Sequence, residues 1–291
     1  MQTNVSVLIA CVGDHDPRFE HQVLRLVATA VDFGGISPRD IVVGWVGDKP
    51  ARIGALQQLG ISTPSIPSHA TRPRHCNKLS LIEYILSGPL LNGRTHLFLL
   101  DCDIAFAAPI DPNVVHGDQI SGRVVGYANP PMDVWKTILD RCGLTSVGAT
   151  RTAFDEASLT PYENLNGGVL SFPTSALTNL LRRWTHWADW AVEHRDFLGK
   201  WSFFTDQIAL ALAQMECGSI PRHLPLEYNL AWNTPRSLLE GIRSPILLHY
   251  HDKTANGRLM EAGHITLDEV ITRINEVHDI DRMVGRKSIT E

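Results

Sequence analysis

The chain has 291 residues, 44% apolar and 20% charged, so it can bury a full-sized core and wholesale disorder is excluded. Its 26 basic and 31 acidic residues give a net charge of -5, which argues against a general nucleic-acid binder. No apolar run approaches the roughly 20 residues of a membrane-spanning helix. Five scattered cysteines without a CxxC pair indicate reduced thiols rather than a disulfide framework or structural zinc. We expect a cytoplasmic α/β protein, with a peripheral position at the inner membrane as the alternative.

The first third of the chain alternates predicted strands and helices. The apolar run Val5–Val12 predicts a strand buried on both faces rather than a signal peptide, because no basic residue precedes it. The predicted elements that follow are a helix over Phe19–Phe33, a strand over Asp40–Val46, a short helix over Ala51–Leu59, a loop over Ser62–Pro73, a helix over Asn77–Leu86 and a strand over His96–Leu100. This alternation predicts βαβ units with right-handed crossovers, hence a mixed, mostly parallel sheet flanked by helices.

The second half is less regular. Its predicted elements are a polar loop over Gly143–Ser158, a strand over Asn166–Phe172, a helix over Ser175–Glu193, a helix over Thr205–Cys217 with Thr205 as N-cap, a strand over Ile246–Tyr250 and a helix over Leu267–Val277. Trp184 and Trp187 lie three apart on one helix face, which favours core packing over sugar stacking.

The chain shows no internal repeat and no linker that would divide it. We therefore expect a single domain over residues 1–291. Its predicted parts are a nucleotide-binding half (1–110), an acceptor or sugar half (111–267), and a C-terminal helix and tail (268–291).

Ligands of open α/β sheets bind beyond the carboxyl ends of the strands. The first strand ends in the loop Cys11-Val12-Gly13-Asp14, which we expect to lie against a nucleotide base and ribose. The alternative is that Asp14-His15-Asp16 only caps the next helix.

A second polar strand end carries Asp101 and Asp103. Two carboxylates so close repel each other unless a cation or a proton lies between them. Oxygen ligands suit Mg²⁺ or Mn²⁺, which complete their shells with substrate phosphates and water. The alternative is a solvated strand end or a helix cap. Cys102, between the two aspartates, is expected to point away from them.

Lys78 and a glycine pair are further candidates for ligand binding. Lys78 could hold a phosphate as a point charge, or it could be a solvated helix lysine. Gly167 and Gly168 let the backbone approach a ligand closely, and the carboxamide of Asn166 can orient a hydroxyl; the alternative is a tight turn.

Asp206 and Gln207 are the remaining catalytic candidates. They could hydrogen-bond to sugar hydroxyls or stabilise an oxocarbenium ion, and the alternative is an acidic first helical turn. His249 and His251 lie two apart, hence on the same side of an extended strand. We expect His249 to be a metal ligand, with His251 as its competitor.

The segment Leu97–Ile104 resembles the DxD strand of GT-A fold glycosyltransferases. Further segments that resemble the family's motifs follow in the family's order: Asn77–Leu79, Asn164–Leu170, Phe204–Ile208, Leu224–Asn229 and Ile246–Tyr250. The set resembles most closely the family-8-like branch of glycogenin and bacterial galactosyltransferases, over about residues 5 to 253.

The resemblance implies a Rossmann-like GT-A nucleotide-diphospho-sugar transferase fold and a hexosyltransferase of EC class 2.4. Such an enzyme moves a sugar from a UDP-sugar to a carbohydrate or other hydroxyl acceptor with Mn²⁺ or Mg²⁺. The resemblance implies Asp101, Asp103 and His249 as metal ligands, and it adds Leu100, Cys102 and Lys253 to the nucleotide-binding residues. The branch's H-x-x-G-x-x-K-P-W tail is absent. Retention and inversion both stay open, and Asp206, Asp155 or Glu163 could each serve as the base of an inverting enzyme.

Two other functions remain as alternatives. A haloacid-dehalogenase-like phosphatase also ends a strand in DxD. That family carries the motif on its first strand and has Thr or Val two positions after the second Asp. In this chain the motif ends the third predicted strand, and Ala105 occupies that position. The other alternative is a non-catalytic nucleotide-sugar-binding protein.

Overall fold

The computed structural model describes residues 5–69, 71–115, 117–242 and 244–277. The predicted tail over residues 278–291 lies outside them. The chain forms two compact units, each built from segments far apart in sequence. Unit 1 comprises Met1–Val7, Pro67–Leu99 and Val115–Leu224, and unit 2 comprises Leu8–Ile66, Leu100–Val114 and Pro225–Glu291.

The five predicted strands are present, together with further strands that were not predicted. In sequence they are β1 (Val7–Gly13), β2 (Ile41–Val46), β3 (Ser65–Ile66), β4 (His96–Leu100), β5 (Ile104–Phe106), β6 (Ser121–Val124), β7 (Ala149–Arg151), β8 (Leu159–Pro161), β9 (Leu165–Pro173), β10 (Arg222–His223), β11 (Leu230–Ala231), β12 (Leu247–His249), β13 (Thr254–Ala255) and β14 (Arg258–Leu259).

The helices alternate with these strands. They are α1 (Pro17–Asp32), α2 (Ala51–Ala55), α3 (Asn77–Ser87), α4 (Pro112–Val115), α5 (Met132–Cys142), α6 (Leu177–Glu193), α7 (Arg195–Leu198), α8 (Thr205–Glu216), α9 (Arg236–Leu239) and α10 (Ile265–Val277). None of the described helices combines the length and the apolar character needed to cross a membrane.

The largest sheet has seven strands in the order β10-β6-β9-β4-β1-β2-β3. β1 pairs with β2, and β2 with β3, in parallel, whereas β6 and β9 are antiparallel. The predicted fold class, a mixed and mostly parallel sheet flanked by helices, is confirmed.

Unit 2 contains a second, three-stranded sheet in the order β11-β12-β5. β12, which falls within the strand predicted over Ile246–Tyr250, pairs antiparallel with β5 and parallel with β11. Leu248, Tyr250 and Ala105 belong to a buried cluster that α10 covers through Ile271 and Ile274.

In unit 1 the long helix α6 packs along α8. Trp184 and Trp187 of α6 are buried, as predicted for core residues. The indole Nε1 of Trp184 donates to the carbonyl of Asp206 at 2.8 Å, and this bond anchors the first turn of α8.

The prediction that Thr205 is the N-cap of its helix is wrong. It is the first residue of α8, and Phe204 occupies the cap position without a side-chain hydrogen bond. The hydroxyl of Thr205 donates backwards to the carbonyl of Ser202 at 2.6 Å, because a 3₁₀ helix over Gly199–Phe204 runs directly into α8. The predicted loops over Ser62–Pro73 and Gly143–Ser158 are also wrong in part, since they contain the short strands β3 and β7.

Candidate functional site

Asp103 lies in a tight turn between β4 and β5 of the chain. The amide of Ile104 donates to the carbonyl of Asp101 at 3.3 Å, and the amide of Tyr250 donates to the carbonyl of Asp103 at 3.1 Å. Because β5 and β12 are antiparallel with Ile104 opposite His249, the backbone itself brings Asp103 to the end of β12.

Asp103, His249 and His251 form what we call the histidine–carboxylate cluster of unit 2. Nε2 of His249 lies 3.3 Å from Oδ1 of Asp103, and Nδ1 of His251 lies 3.9 Å from its Oδ2. The two imidazole rings are 4.1 Å apart. One ligand atom from each of the three residues lies within 4.8 Å of the others. His249 is buried, whereas the side chain of His251 is 41% exposed.

The chain reaches this arrangement differently from the predicted strand alternation. β12 ends at His249, and His251 adopts a left-handed conformation with φ of 50°. The backbone turn after β12, rather than an extended strand, brings the second imidazole to the same carboxylate.

Asn229 orients His249. Its amide oxygen lies 3.0 Å from Nδ1 of His249, and both side chains are buried. An amide oxygen can only accept, so Nδ1 carries a proton, and in the neutral ring the lone pair of Nε2 faces Asp103. Metal-binding histidines characteristically donate their other ring N–H to an oxygen in this way. A carboxylate and two imidazoles are therefore a donor set that fits Mn²⁺ better than Mg²⁺.

The charge state of Asp103 agrees with a cation-binding role. Burial acts to raise the pKa of its carboxyl group, but positive charge on protonated His249 and His251, together with a hydrogen bond from His249, outweighs burial, so the pKa lies below its ordinary value of 3.8. Asp103 is thus ionised over the physiological pH range.

The other residues of the DxD segment lie differently. Asp101 is half-buried and is outside the three-residue group of close ligand atoms among the described residues. Leu100 is buried at the end of β4. Cys102 is buried, and its thiol donates to the carbonyl of Val12 at 2.7 Å. The side chain of Lys253 is exposed.

The loop after β1 serves the start of α1. Asp16 is the N-cap of α1, and Oδ1 of Asp14 accepts from the amide of Asp16 at 3.0 Å. Cys11 is fully buried in β1. Gly13 is required by packing, because a Cβ there would lie 2.4 Å from the Trp45 ring. The capping alternative therefore holds for Asp16, and nucleotide contact by Cys11, Val12, Gly13 and Asp14 stays a prediction.

Unit 1 contains a second cluster, which we call the lysine–carboxylate cluster: Lys78, His75, Asp206 and the carbonyl of Gly167. Nζ of Lys78 donates to the Gly167 carbonyl at 2.9 Å and lies 3.6 Å from Oδ2 of Asp206. Nε2 of His75 lies 3.6 Å from Oδ1 of the same carboxylate. A Cβ at position 167 would stand 3.4 Å from Asp206 and 3.5 Å from Lys78, so glycine allows the close approach.

Asp206 is held ionised by its neighbours. Burial acts to raise the pKa of its carboxyl group, but the charges of His75 and Lys78 and hydrogen bonds to the carboxylate outweigh burial. The pKa is therefore lower than its ordinary value of 3.8. Lys78 is itself buried, so the alternative of a solvated helix lysine is wrong.

Three other predicted residues have local roles in unit 1. Oδ1 of Asn166 accepts from the amide of Gly168 at 3.0 Å, as in the tight-turn alternative. Nε2 of Gln207 donates to the carbonyl of Asn129 at 3.2 Å. Asn166 is half-buried, and Gly168 and Gln207 are buried; their contact with a sugar stays a prediction.

The two other candidate bases, Glu163 and Asp155, accept hydrogen bonds from loop residues. Glu163 is fully buried and accepts from the Ser146 hydroxyl at 2.6 Å and from the Val147 amide at 2.8 Å. Asp155 accepts from the Ser158 hydroxyl and from the Ala157 amide. These contacts favour Asp206 as the carboxylate left for chemistry.

Sequence reasoning did not single out His75 or the orienting role of Asn229. His75 precedes α3 in the segment Arg72-Pro-Arg-His75, and its basic character was the available indication. Asn229 ends the segment Leu224–Asn229, which resembles a family motif, but only the three-dimensional structure shows that it contacts His249.

The structure is similar to the crystal structure of the apo-form glycosyltransferase GlyE of Streptococcus pneumoniae TIGR4, with a TM-score of 0.55 and 10% sequence identity. The match covers 99% of this chain and 64% of that one, so this chain spans less than two thirds of the solved chain's length. The similarity shows a glycosyltransferase fold. No curated protein sequence matches the chain.

A family model described as the Rhodobacterales glycosyltransferase domain matches residues 6–218. The chain belongs to this family. Membership in this family favours the sugar-transfer interpretation over the phosphatase alternative.

Proposed function

We propose that the chain is a metal-dependent hexosyltransferase that moves a sugar from a UDP-sugar to a carbohydrate or other hydroxyl acceptor. The observation that carries this proposal is the histidine–carboxylate cluster of unit 2, because Asn229 holds a proton on Nδ1 of His249, so that the neutral ring directs its lone pair at a carboxylate. Two electron-rich atoms at 3.3 Å are stabilised by a cation between them.

Asp103, His249 and His251 would hold Mn²⁺ or Mg²⁺, with Asp101 as a further proposed ligand. A bound divalent cation supplies Lewis-acid neutralisation of the charge on the departing diphosphate. With three of these residues, or four if Asp101 takes part, the site would keep room for phosphate oxygens and water.

The lysine–carboxylate cluster of unit 1 is proposed to act on the sugar. Asp206, buried and ionised, can accept a hydrogen bond or a proton from a sugar hydroxyl, or can stabilise positive charge at the anomeric carbon. In the transfer, the acceptor oxygen bonds to the anomeric carbon, the bond from that carbon to the diphosphate oxygen breaks, and the hydroxyl proton goes to a base. Lys78 and His75 keep Asp206 ionised for either role.

Thermal unfolding in the presence of UDP and UDP-sugars, with Mn²⁺ or with EDTA, tests the proposal. We expect UDP to raise the melting temperature only when Mn²⁺ is present, because ligands that bind the folded state stabilise it. UDP release from the correct UDP-sugar should occur with Mn²⁺ and stop with EDTA. Full turnover in EDTA would contradict metal dependence, and binding without any UDP release would favour the non-catalytic alternative. The cytoplasmic location stays a prediction.

A further inference from the structure

Unit 1 contains a polar cavity beside the start of α8. Its volume is about 290 Å³, at the lower end of the range for small-molecule pockets. The walls include Ser202, Thr205, Arg72 and Arg195. Thr205 directly precedes Asp206, so the cavity wall and the proposed sugar-side carboxylate belong to the same turn.

An exposed aromatic ring belongs to a residue that is adjacent in sequence to the cavity wall. Phe203 directly follows the wall residue Ser202, and it is 71% exposed. Its ring lies 5.9 Å from the ring of His75 and 5.2 Å from that of Phe204. His75 in turn contacts Asp206. A large exposed apolar ring offers a flat face on which a sugar ring stacks.

The charge of the cavity is positive. Arg72 is nearly buried, and its guanidinium is neutralised by Asp189, with contacts of 2.6 and 2.8 Å. Arg195 is exposed, its Nε donates to the carbonyl of Val192, and no ion pair joins it to a carboxylate within the described ranges of the chain. The guanidinium of Arg195 therefore leaves positive charge at this wall, in a chain whose net charge is -5.

The wall hydroxyls complement this charge. The hydroxyl of Ser202 donates to the carbonyl of Gly199 and that of Thr205 to the carbonyl of Ser202. Both donors are used, so both oxygens can act only as acceptors of hydrogen bonds. Acceptors of this kind suit the O–H groups of a sugar, and a guanidinium suits a carboxylate or phosphate.

We propose that this cavity, with Phe203 at its edge, is the acceptor subsite, and that the acceptor is a sugar bearing a carboxylate or a phosphate. The assignment rests on the proposed function, since Thr205 of the cavity wall directly precedes Asp206, the proposed sugar-side carboxylate. Arg195 recognises the acid group, and Phe203 packs against the sugar ring.

Direct binding to the intact chain tests this proposal without donor or metal. The probes are methyl β-D-glucuronide and glucose 6-phosphate, compared with the uncharged methyl β-D-glucoside, with EDTA present. Ligand-observed NMR or calorimetry should show that at least one acidic sugar binds more tightly than the glucoside. The proposal is overturned if neither acidic sugar does.

Two substitutions assign the contacts. Arg195→Gln should weaken the acidic sugar about fivefold or more and leave the glucoside unchanged, because a charge-assisted bond is lost. Arg182→Gln, at an exposed arginine of α6, is the matched control and should change neither. An equal effect of the two substitutions would refute the role of Arg195.

Phe203→Ala should weaken all three sugars about threefold to tenfold, and Phe203→Trp should restore binding. Tyr84→Ala, at another exposed ring of unit 1, is the control. With Mn²⁺ and the matching UDP-sugar, the acidic sugar should also accelerate UDP release. Binding of the acidic sugar without UDP binding would refute the proposed function alone, whereas UDP release that no acidic sugar accelerates would refute the acceptor assignment.

Discussion

Each unit of the chain holds a nearly buried aspartate whose pKa is depressed despite burial, but the two units balance that charge differently. In unit 1 the chain places the ammonium group of Lys78 beside Asp206. In unit 2 Asp103 faces two imidazoles, and Asn229 fixes one of them with its Nε2 toward the carboxylate.

The two clusters therefore differ in whether a bound ligand must supply the charge that balances the aspartate. The lysine–carboxylate cluster is balanced by the protein alone, so it can be assembled before any ligand binds. The histidine–carboxylate cluster presents only electron-rich atoms when its histidines are neutral, and a divalent cation would supply the balancing charge. Substitutions in the two clusters test this distinction.

The largest effect should come from exchanging one aspartate for asparagine in each unit. Asp103→Asn should abolish Mn²⁺-dependent UDP binding, with a loss of more than about 100-fold, because a charged ligand is removed. Asp206→Asn should lower turnover while UDP affinity stays nearly intact, since UDP lacks the sugar. Calorimetric titration of UDP with Mn²⁺ and turnover assays measure both.

The stability of the Asp103→Asn variant should change much less than its UDP affinity, which shows that the protein is folded. An equal loss of UDP affinity in both variants would place Asp206 in the nucleotide site and remove the distinction between the clusters.

The next effect concerns the internal charge balance of unit 1. Lys78→Gln leaves the buried carboxylate of Asp206 without its ammonium partner, and breaking a buried pair in this way costs about 3 to 5 kcal/mol. The free energy of unfolding, measured in urea, should fall accordingly. Lys136→Gln, at an exposed lysine of α5, should change it by less than about 0.5 kcal/mol.

The double variant Lys78→Gln/Asp206→Asn should recover part of the lost stability, because it removes both members of the pair. If Lys78→Gln were as stable as Lys136→Gln, the unit 1 cluster would not be balanced by Lys78.

The clusters also differ in how far the sequence predicted them. The strand that ends before Asp101 was predicted with its observed bounds, because five buried apolar residues in a row are typical of a central strand. The separation of Asp101 from Asp103 was not predicted, since it depends on a reversal of the chain into β5. His251 was predicted as the competing ligand, but from strand alternation; its observed approach to Asp103 depends on a left-handed backbone conformation, which is uncommon for a non-glycine residue.

In unit 1 the sequence indicated Lys78, Gly167 and Asp206 separately, by residue type and by resemblance. Their contact could not be read from spacing, because α3, β9 and α8 are far apart in the chain. His75 was missed because it lies in a 3₁₀ turn before α3, where no periodic pattern marks an inward-facing side chain.

A smaller effect is expected from the residue that orients His249. Asn229→Ala removes the oxygen that accepts from Nδ1, and loss of such a partner lowers metal affinity about 10- to 100-fold. Asn229→Asp keeps an acceptor oxygen and should retain most of the affinity. Titration of Mn²⁺ into each variant measures the change, and an Asn229→Ala affinity equal to that of the wild type would contradict the orienting role.

The same titration separates the two histidines. His249→Ala should raise the Mn²⁺ requirement by at least about tenfold, because its side chain is buried beside Asp103. His251→Ala should have a smaller effect, because its ring is more exposed and farther from the carboxylate. The opposite order would make His251 the principal ligand.

The smallest effect should appear in the acid dependence of stability. The pKa of Asp206 is lower in the folded protein than its ordinary value of 3.8, so the folded state binds fewer protons than the unfolded chain. Asp206 therefore contributes stability that is fully present above its ordinary pKa and is lost as pH falls through the folded-state pKa.

Between pH 5 and pH 3, roughly one unit on either side of 3.8, the unfolding free energy of Asp206→Asn should fall less than that of the wild type. Asp118→Asn, at an exposed aspartate of the same unit, is the control, and its acid dependence should follow the wild type. An unchanged acid dependence in Asp206→Asn would mean that Lys78 and His75 do not stabilise the ionised carboxylate, and the contrast between the two clusters would fail on the side of unit 1.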